Sequence, residues 1–156
     1  MAQPNAQPRM PRKELADTFA EVARIGAMFI DGDAAEAVHA DETSATWTDA
    51  DDINFAHEPY INVKRTVLLV ERMQDVPCRA LFALIRADDP SKLEAVVCGM
   101  ENPHGRAPFA MNKPQRECIK KGVVTTETDS AAGAVSAYAP VRNSDHEIVG
   151  LLHVFA

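Results

Sequence analysis

Apolar residues recur at helical steps in the first half of the chain and at strand steps in the second. Between Arg12 and Ile30, the residues Leu15, Phe19, Val22, Gly26 and Phe29 return every third or fourth position, with Glu14, Asp17, Glu21 and Arg24 largely on the opposite side. That periodicity predicts a long amphipathic N-terminal helix of about five turns. The small residues Ala23, Gly26 and Ala27 beside the stripe would admit another helix at close range. Gly32, after Asp31, is placed to stop the helix in the left-handed conformation. A shorter helical stretch from Ala34 to Ala40 leads into an acidic, Thr- and Asp-rich connection containing Trp47. A third helix is expected from Pro59 to Gln74, because proline's missing N–H costs nothing in a first turn and Tyr60, Val63, Val67 and Val70 share one face.

The period then changes. Cys78 to Arg86 (CRALFALIR) and Leu93 to Met100 (LEAVVCGM) are strand-like runs around Ala-Asp-Asp-Pro-Ser, whose turn residues suit a hairpin. A loop with three prolines, Glu101 to Pro114, precedes a short helix from Gln115 to Lys121, closed by Gly122. Three further strands follow at Val123 to Thr126, Ala134 to Val141 and Ile148 to Phe155, with turns at Ala132-Gly133 and at Asn143-Ser144-Asp145. The pattern is that of an α+β fold, helix-rich first and five-stranded afterwards. Residues 1–11 are a Pro/Gln/Ala tail with nothing to bury, a disordered tail or linker, which leaves 12–156 as a single domain.

Composition supports one core: 156 residues, 46% hydrophobic and 25% charged. No stretch approaches the roughly 18 apolar residues a membrane span needs, and the opening MAQPNAQPRMPRKE offers no apolar secretion signal, so no membrane insertion is expected of this chain. The net charge of −7 is uneven, since Asp31 to Glu58 holds nine acidic residues and no Lys or Arg. Such a segment repels a phosphate backbone, which argues against nucleic acid as a partner. Cys78, Cys98 and Cys118 are odd in number and lack metal spacing, as expected of reduced thiols.

Two segments carry a family resemblance. MFIDGDAAEAVHADE, after a helix, resembles the "ID-Gly-Asp" helix exit of Cache domains, also called PDC sensors. AVSAYAPVRNSDHEIVGLLHV resembles their closing hairpin, and between the two the Val67 to Ile85 helix-to-strand passage and the CIKKG helix end fall where such domains place them. The resemblance covers Arg12 to Phe155. It implies a five-stranded antiparallel PAS-like sheet with first and last strands adjacent, in an input domain of a chemoreceptor, histidine kinase or nucleotide cyclase. It further implies a pocket for a small metabolite, often a carboxylate or an amine, and a homodimer formed through the Arg12–Ile30 helix. By the same analogy the domain is extracytoplasmic if it belongs to a receptor, and cytoplasmic if free-standing. The chain departs from the family pattern at Cys98 and Phe155, where acids are frequent, and at His146, where glycine is usual.

The candidate ligand-binding residues are Arg79, Phe82, Met100, Arg106, Phe109, Ser136 and Tyr138. Alternation puts Ser136 and Tyr138 on one face of their strand, opposite Val135, Ala137 and Ala139. A hydroxyl and a phenol there could orient a ligand, or Tyr138 could be a core tyrosine bonded to a backbone carbonyl. Phe82 faces with Ala80 and Leu84, as pocket wall or as core. Arg79 could clamp a carboxylate with its planar fork, or be a solvated edge residue. Met100 leads into the Pro-rich loop, which is a candidate lid carrying Arg106, Phe109 and Met111, or a passive connection. His153 reads as a satisfied sheet histidine. No metal or other cofactor is expected, because the five histidines lack paired spacing and the Asp49/Asp51/Asp52 cluster lacks the glycine and terminal glutamate of a calcium loop. Catalysis is not expected either, Cys118 with His104 being the only nucleophile–base pair worth naming. The competing role is a protein-interaction module that keeps the fold without a pocket.

Overall fold

The computed structural model describes residues 10–39, 58–99, 108–129, 131 and 133–156. In chain order the elements are α1 (Arg12–Phe29), α2 (Gly32–His39), α3 (Glu58–Glu71), β1 (Arg79–Ile85), β2 (Lys92–Cys98), β3 (Phe109–Ala110), α4 (Lys113–Lys121), β4 (Thr125–Asp129), β5 (Ala134–Arg142) and β6 (Ile148–Phe155). The strands form one antiparallel sheet in the order β3-β2-β1-β6-β5-β4. The expected adjacency of the first long strand and the last is present. The sheet has six strands, however, and not five. The addition is β3, a two-residue strand in which Phe109 pairs with Leu93 and Ala110 with Lys92, inside the stretch that reads as a Pro-rich loop. Two residues are too few to show a strand's alternation.

Two helices cover one face of the sheet. The α1 stripe buries Ala16, Phe19, Val22, Ala23 and Gly26. α3 buries Tyr60, Val63, Val67 and Val70, and these meet Phe82, Leu84, Val96, Ala137, Leu152 and Val154 in the main core. The room left by Gly26 is filled within the chain, since a Cβ there would lie 2.6 Å from Val70 Cγ2 and 2.7 Å from Leu152 Cδ2. The helix that approaches closely at Gly26 is therefore α3. The opposite face carries a smaller cluster of Ala83, Leu93, Met111, Cys118, Tyr138 and Leu151, closed over by α4.

Gly32 does not stop α1. The helix is followed by Ile30 in extended conformation (φ −74°, ψ 124°), and Gly32 opens α2. Asp31 takes the capping role, its Oδ1 accepting from the backbone N–H groups of Asp33 and Ala34 at 3.0 and 3.2 Å. Glycine is needed at 32 because a Cβ would sit 2.0 Å from the carbonyl oxygen of Arg142. This close approach lets α2 grip the β5–β6 turn. Asp33 Oδ1 accepts from Ser144 N and Oγ, both at 3.1 Å, and Asn143 Nδ2 donates to Glu36 Oε1 at 2.6 Å. His146, where the family pattern has glycine, holds the turn at φ 64°.

The Gly32 contact generates a direct test. Gly32→Ala forces α2 off the hairpin and is expected to lower unfolding stability by about 2–4 kcal/mol, read by urea denaturation. A loss under about 0.5 kcal/mol would contradict the docking described.

Candidate functional site

Strand register assembles the candidate site. On the face away from α1, Arg79 of β1 stands opposite Phe155 of β6, Phe155 opposite Ser136 of β5, and Ser136 opposite Glu127 of β4. The next row on the same face runs from Leu81 through His153 and Tyr138 to Thr125. Side chains in such adjacent rows lie within contact distance of one another. Three rings form a strip along β5 and β6, with Tyr138 and His153 centroids 4.6 Å apart, His153 and Phe155 centroids 4.5 Å apart, and tilts of 31° and 32°.

Polar atoms on this face are joined in two small networks. The Tyr138 hydroxyl donates to Glu127 Oε2 at 3.0 Å, and Asn112 Nδ2 donates to the same oxygen at 3.1 Å and lies 3.4 Å from the Tyr138 oxygen. Asn112 is held for this by the start of α4. Its side chain accepts from Gln115 N at 2.9 Å while the Gln115 side chain accepts from Asn112 N, a capping box that fixes the asparagine. Beside it, His153 Nε2 and Ser136 Oγ share a hydrogen bond of 2.9 Å. Burial pushes the Tyr138 phenol up, with the neighbouring Glu127 adding to the effect. Burial also lowers the His153 imidazole to about 4, so the ring is neutral at pH 7.

A cavity of about 370 Å³ opens at the Arg79 end of this face, lined by Pro77, Cys78, Arg79, Phe155 and Ala156. Its size lies in the range of small-ligand sites, roughly 300–1,000 Å³. One wall offers a guanidinium and another an aromatic ring. Cys78 contributes a thiol, which burial holds above its usual pKa and hence protonated.

Of the residues singled out from sequence, Arg79 lines the cavity, Ser136 stands across Phe155 from it on the same face, and Tyr138 lies one row away, buried in the cluster under α4. Phe82 is placed elsewhere: it is fully buried on the α1 face with Ala80 and Leu84, as core, and does not share a face with Tyr138. Successive residues alternate sides, so the parity of Phe82 already separates it from Arg79, and only the pairing of β1 with β6 shows which parity meets Tyr138. Phe109 sits on β3, 37% exposed and four strands from β5. Met111 is buried against Tyr138's cluster and is not a surface contact of a loop. Met100, Arg106 and His104 lie outside the described residues. Tyr138 bonds to side chains, Glu127 and Asn112, and not to a backbone carbonyl.

Sequence reasoning missed Asn112 and Glu127 and gave His153 no site role. Asn112 with Gln115 three positions on was a legible capping signature. Glu127 lay just past the expected end of its strand, and nothing local marked it. Among the described residues no group of three or more His, Cys, Asp or Glu side chains could hold a metal ion, and no helix is long and apolar enough to cross a membrane.

No protein-family model and no curated protein matches the chain. Among solved structures it is similar to a protein described as a GAF sensor from Burkholderia vietnamiensis, with 15% identity, a TM-score of 0.48, and coverage of 97% of this chain and 78% of that one. It is similar to the GAF domain region of a protein from Geobacter sulfurreducens PCA, with 12% identity, a TM-score of 0.48, and coverage of 62% and 74%. It is also similar to the ligand-binding domain of the Campylobacter jejuni chemoreceptor Tlp3 in complex with L-valine, with 10% identity, a TM-score of 0.40, and coverage of 92% of this chain and 60% of that one.

The neutral, partly buried His153 makes stability depend on pH. Its folded pKa of about 4 lies below the unfolded value of about 6.5, so the unfolded chain binds more protons between the two. The contribution is complete above about pH 6.5 and shrinks as pH falls toward 4, by up to ~3 kcal/mol. Denaturation midpoints measured from pH 4.5 to 7 should show this slope in the parent chain and a flatter one in His153→Phe. Equal slopes would refute a buried neutral imidazole.

Proposed function

We propose that this domain is a ligand-sensing module that binds a small, carboxylate-bearing metabolite on the sheet face opposite α1, without chemical turnover. The observation that carries this role is the 370 Å³ cavity walled by Arg79 and Phe155, with Ser136 beside Phe155 on the same face. A planar guanidinium matches a carboxylate's two oxygens, while the rings of Phe155 and His153 supply an apolar wall. The half-buried rings of His153 and Phe155 give the ligand's body an apolar surface, with the hydroxyl of Ser136 bonded to His153 beside it.

Binding is favoured over catalysis by the state of Cys118, the fully buried cysteine. Burial raises the Cys118 thiol to about 12, which keeps it protonated and unreactive at neutral pH. The site's hydrogen bonds link Tyr138, Glu127 and Asn112 as a rigid frame.

Output in this scheme passes through the β5–β6 hairpin. Both strands contribute to the ligand face, their turn is gripped by Asp33 and Glu36 of α2, and their other face packs on α1. A ligand that binds two hairpin positions with different affinity shifts the population between them. In a homodimer formed through the Arg12–Ile30 helix, Phe29, 68% exposed at its C-terminal end, provides apolar contact surface.

The experiment is a carboxylate metabolite panel screened by thermal shift and followed by calorimetry. At least one acid should stabilise the chain, and Arg79→Gln and Phe155→Ala should each weaken its binding tenfold or more, about 1.4 kcal/mol. A hit whose affinity is the same in both variants would move the site elsewhere, and no hit at all would favour the interaction module.

A further inference from the structure

β4 begins at Thr125, opposite Tyr138, so residues 139–142 of β5 run past it and pair on one side only, with β6. In the place a longer β4 would occupy, the chain arrives from α4 through Gly122 and Val124. A groove of about 420 Å³ lies between this stretch, the open edge of β5 and the C-terminal half of α1. Its lining is mostly apolar, with Ala27, Met28 and Ile30 on the helix side and Val124, Ala139 and Pro140 on the sheet side. Among the described residues the charged ones that line it are Arg24 and Arg142, and no acid does, in a chain whose net charge is −7.

The two arginines are not equivalent. Arg24 is bonded to Glu21 at 2.5 and 3.1 Å and reaches Met28 Sδ at 3.8 Å, so its charge is largely answered along the helix. Arg142 donates through Nη1 to the carbonyl of His146 at 3.0 Å and forms no ion pair with a carboxylate among the described residues. Its position is set by Gly122. That residue caps α4 in the left-handed conformation (φ 65°), and a Cβ on it would lie 2.5 Å from Arg142 Nη2. The same glycine thus ends the helix and leaves the space the guanidinium occupies. A fixed cation beside a concave apolar surface is the arrangement that selects an anion with an apolar body.

We infer that this groove is a second ligand site, for a small carboxylate with a hydrocarbon or aryl body. The carboxylate meets Arg142, and the apolar body lies along Met28, Ile30 and Val124. The site lies at the open edge of β5, between the C-terminal half of α1 and the cap of α4, apart from the Arg79–Phe155 cavity, and it does not depend on a ligand binding there.

The probe is 3-phenylpropionate, titrated into the full chain beside its isosteres 3-phenylpropan-1-ol and 3-phenylpropan-1-amine, with amide NMR spectra as readout. The acid should saturate, with shifts centred on Ala27, Met28, Val124 and Ala139, and should bind at least tenfold more tightly than the alcohol or the amine. Arg142→Gln should weaken the acid tenfold or more and leave the alcohol unchanged. Met28→Glu, at an exposed helix position that folding tolerates, should abolish acid binding by placing a like charge in the groove. Tyr138→Phe should have no effect. Equal binding of acid and alcohol, undiminished binding in Arg142→Gln or Met28→Glu, shifts centred on Ser136 and Tyr138, or no saturation at millimolar acid would each overturn the inference.

Discussion

The position of β6 between β1 and β5 is the constraint on which both faces of the sheet depend. Strands that are buried on both sides must spend alternate residues on two different environments. In β6, Val149, Leu152 and Val154 join the α1 core, while Leu151 joins the cluster under α4 and His153 and Phe155 form the aromatic strip. Because β6 is hydrogen-bonded to β1 on one side and β5 on the other, its register alone sets Phe155 opposite both Arg79 and Ser136. A one-residue slip would carry His153 into the α1 core, where its ring nitrogens would have no partner, and would bring apolar residues to the candidate site.

The polar groups gathered by that register are stable because each has a partner. A buried phenol, imidazole or hydroxyl left unbonded costs about 1–3 kcal/mol, which three or four times over would consume much of a domain's stability. Here Tyr138 answers to Glu127 and Asn112, and Ser136 answers to His153. The frame is also tied to secondary structure, since Asn112 caps α4 with the same side chain that reaches Tyr138 and Glu127. The consequence is a face that is polar and rigid near β4 and β5, and open near Arg79 and Phe155 where the cavity lies.

Much of this architecture was legible in the sequence, for physical reasons that also explain what was not. The α1 stripe, the β5 alternation and the Gly122 cap are local patterns, and they appear where the spacing places them. Helix and strand ends shifted by a few residues, as with α3, which closes at Glu71 and not Gln74. Contacts between distant segments left no local trace. Gly32 looks like a helix stop and is instead required by the Arg142 carbonyl, more than 100 positions away. Phe82 reads as core or pocket wall, and it is core, because hydrophobicity does not say which face of a sheet a parity occupies. β3 is too short to announce itself, and Glu127 enters the site only because β4 pairs with β5.

The central claim is that a carboxylate ligand sits on the Arg79–Phe155–Ser136 row, on the sheet face opposite α1. The most direct measurement is the set of intermolecular NOEs between a stabilising carboxylate and the side chains of the isotope-labelled chain. NOEs from the ligand to the rings of Phe155 and His153 are the expected result. NOEs confined to Val22, Val67 and the other α1-side core residues, or none to the aromatic strip, would contradict it.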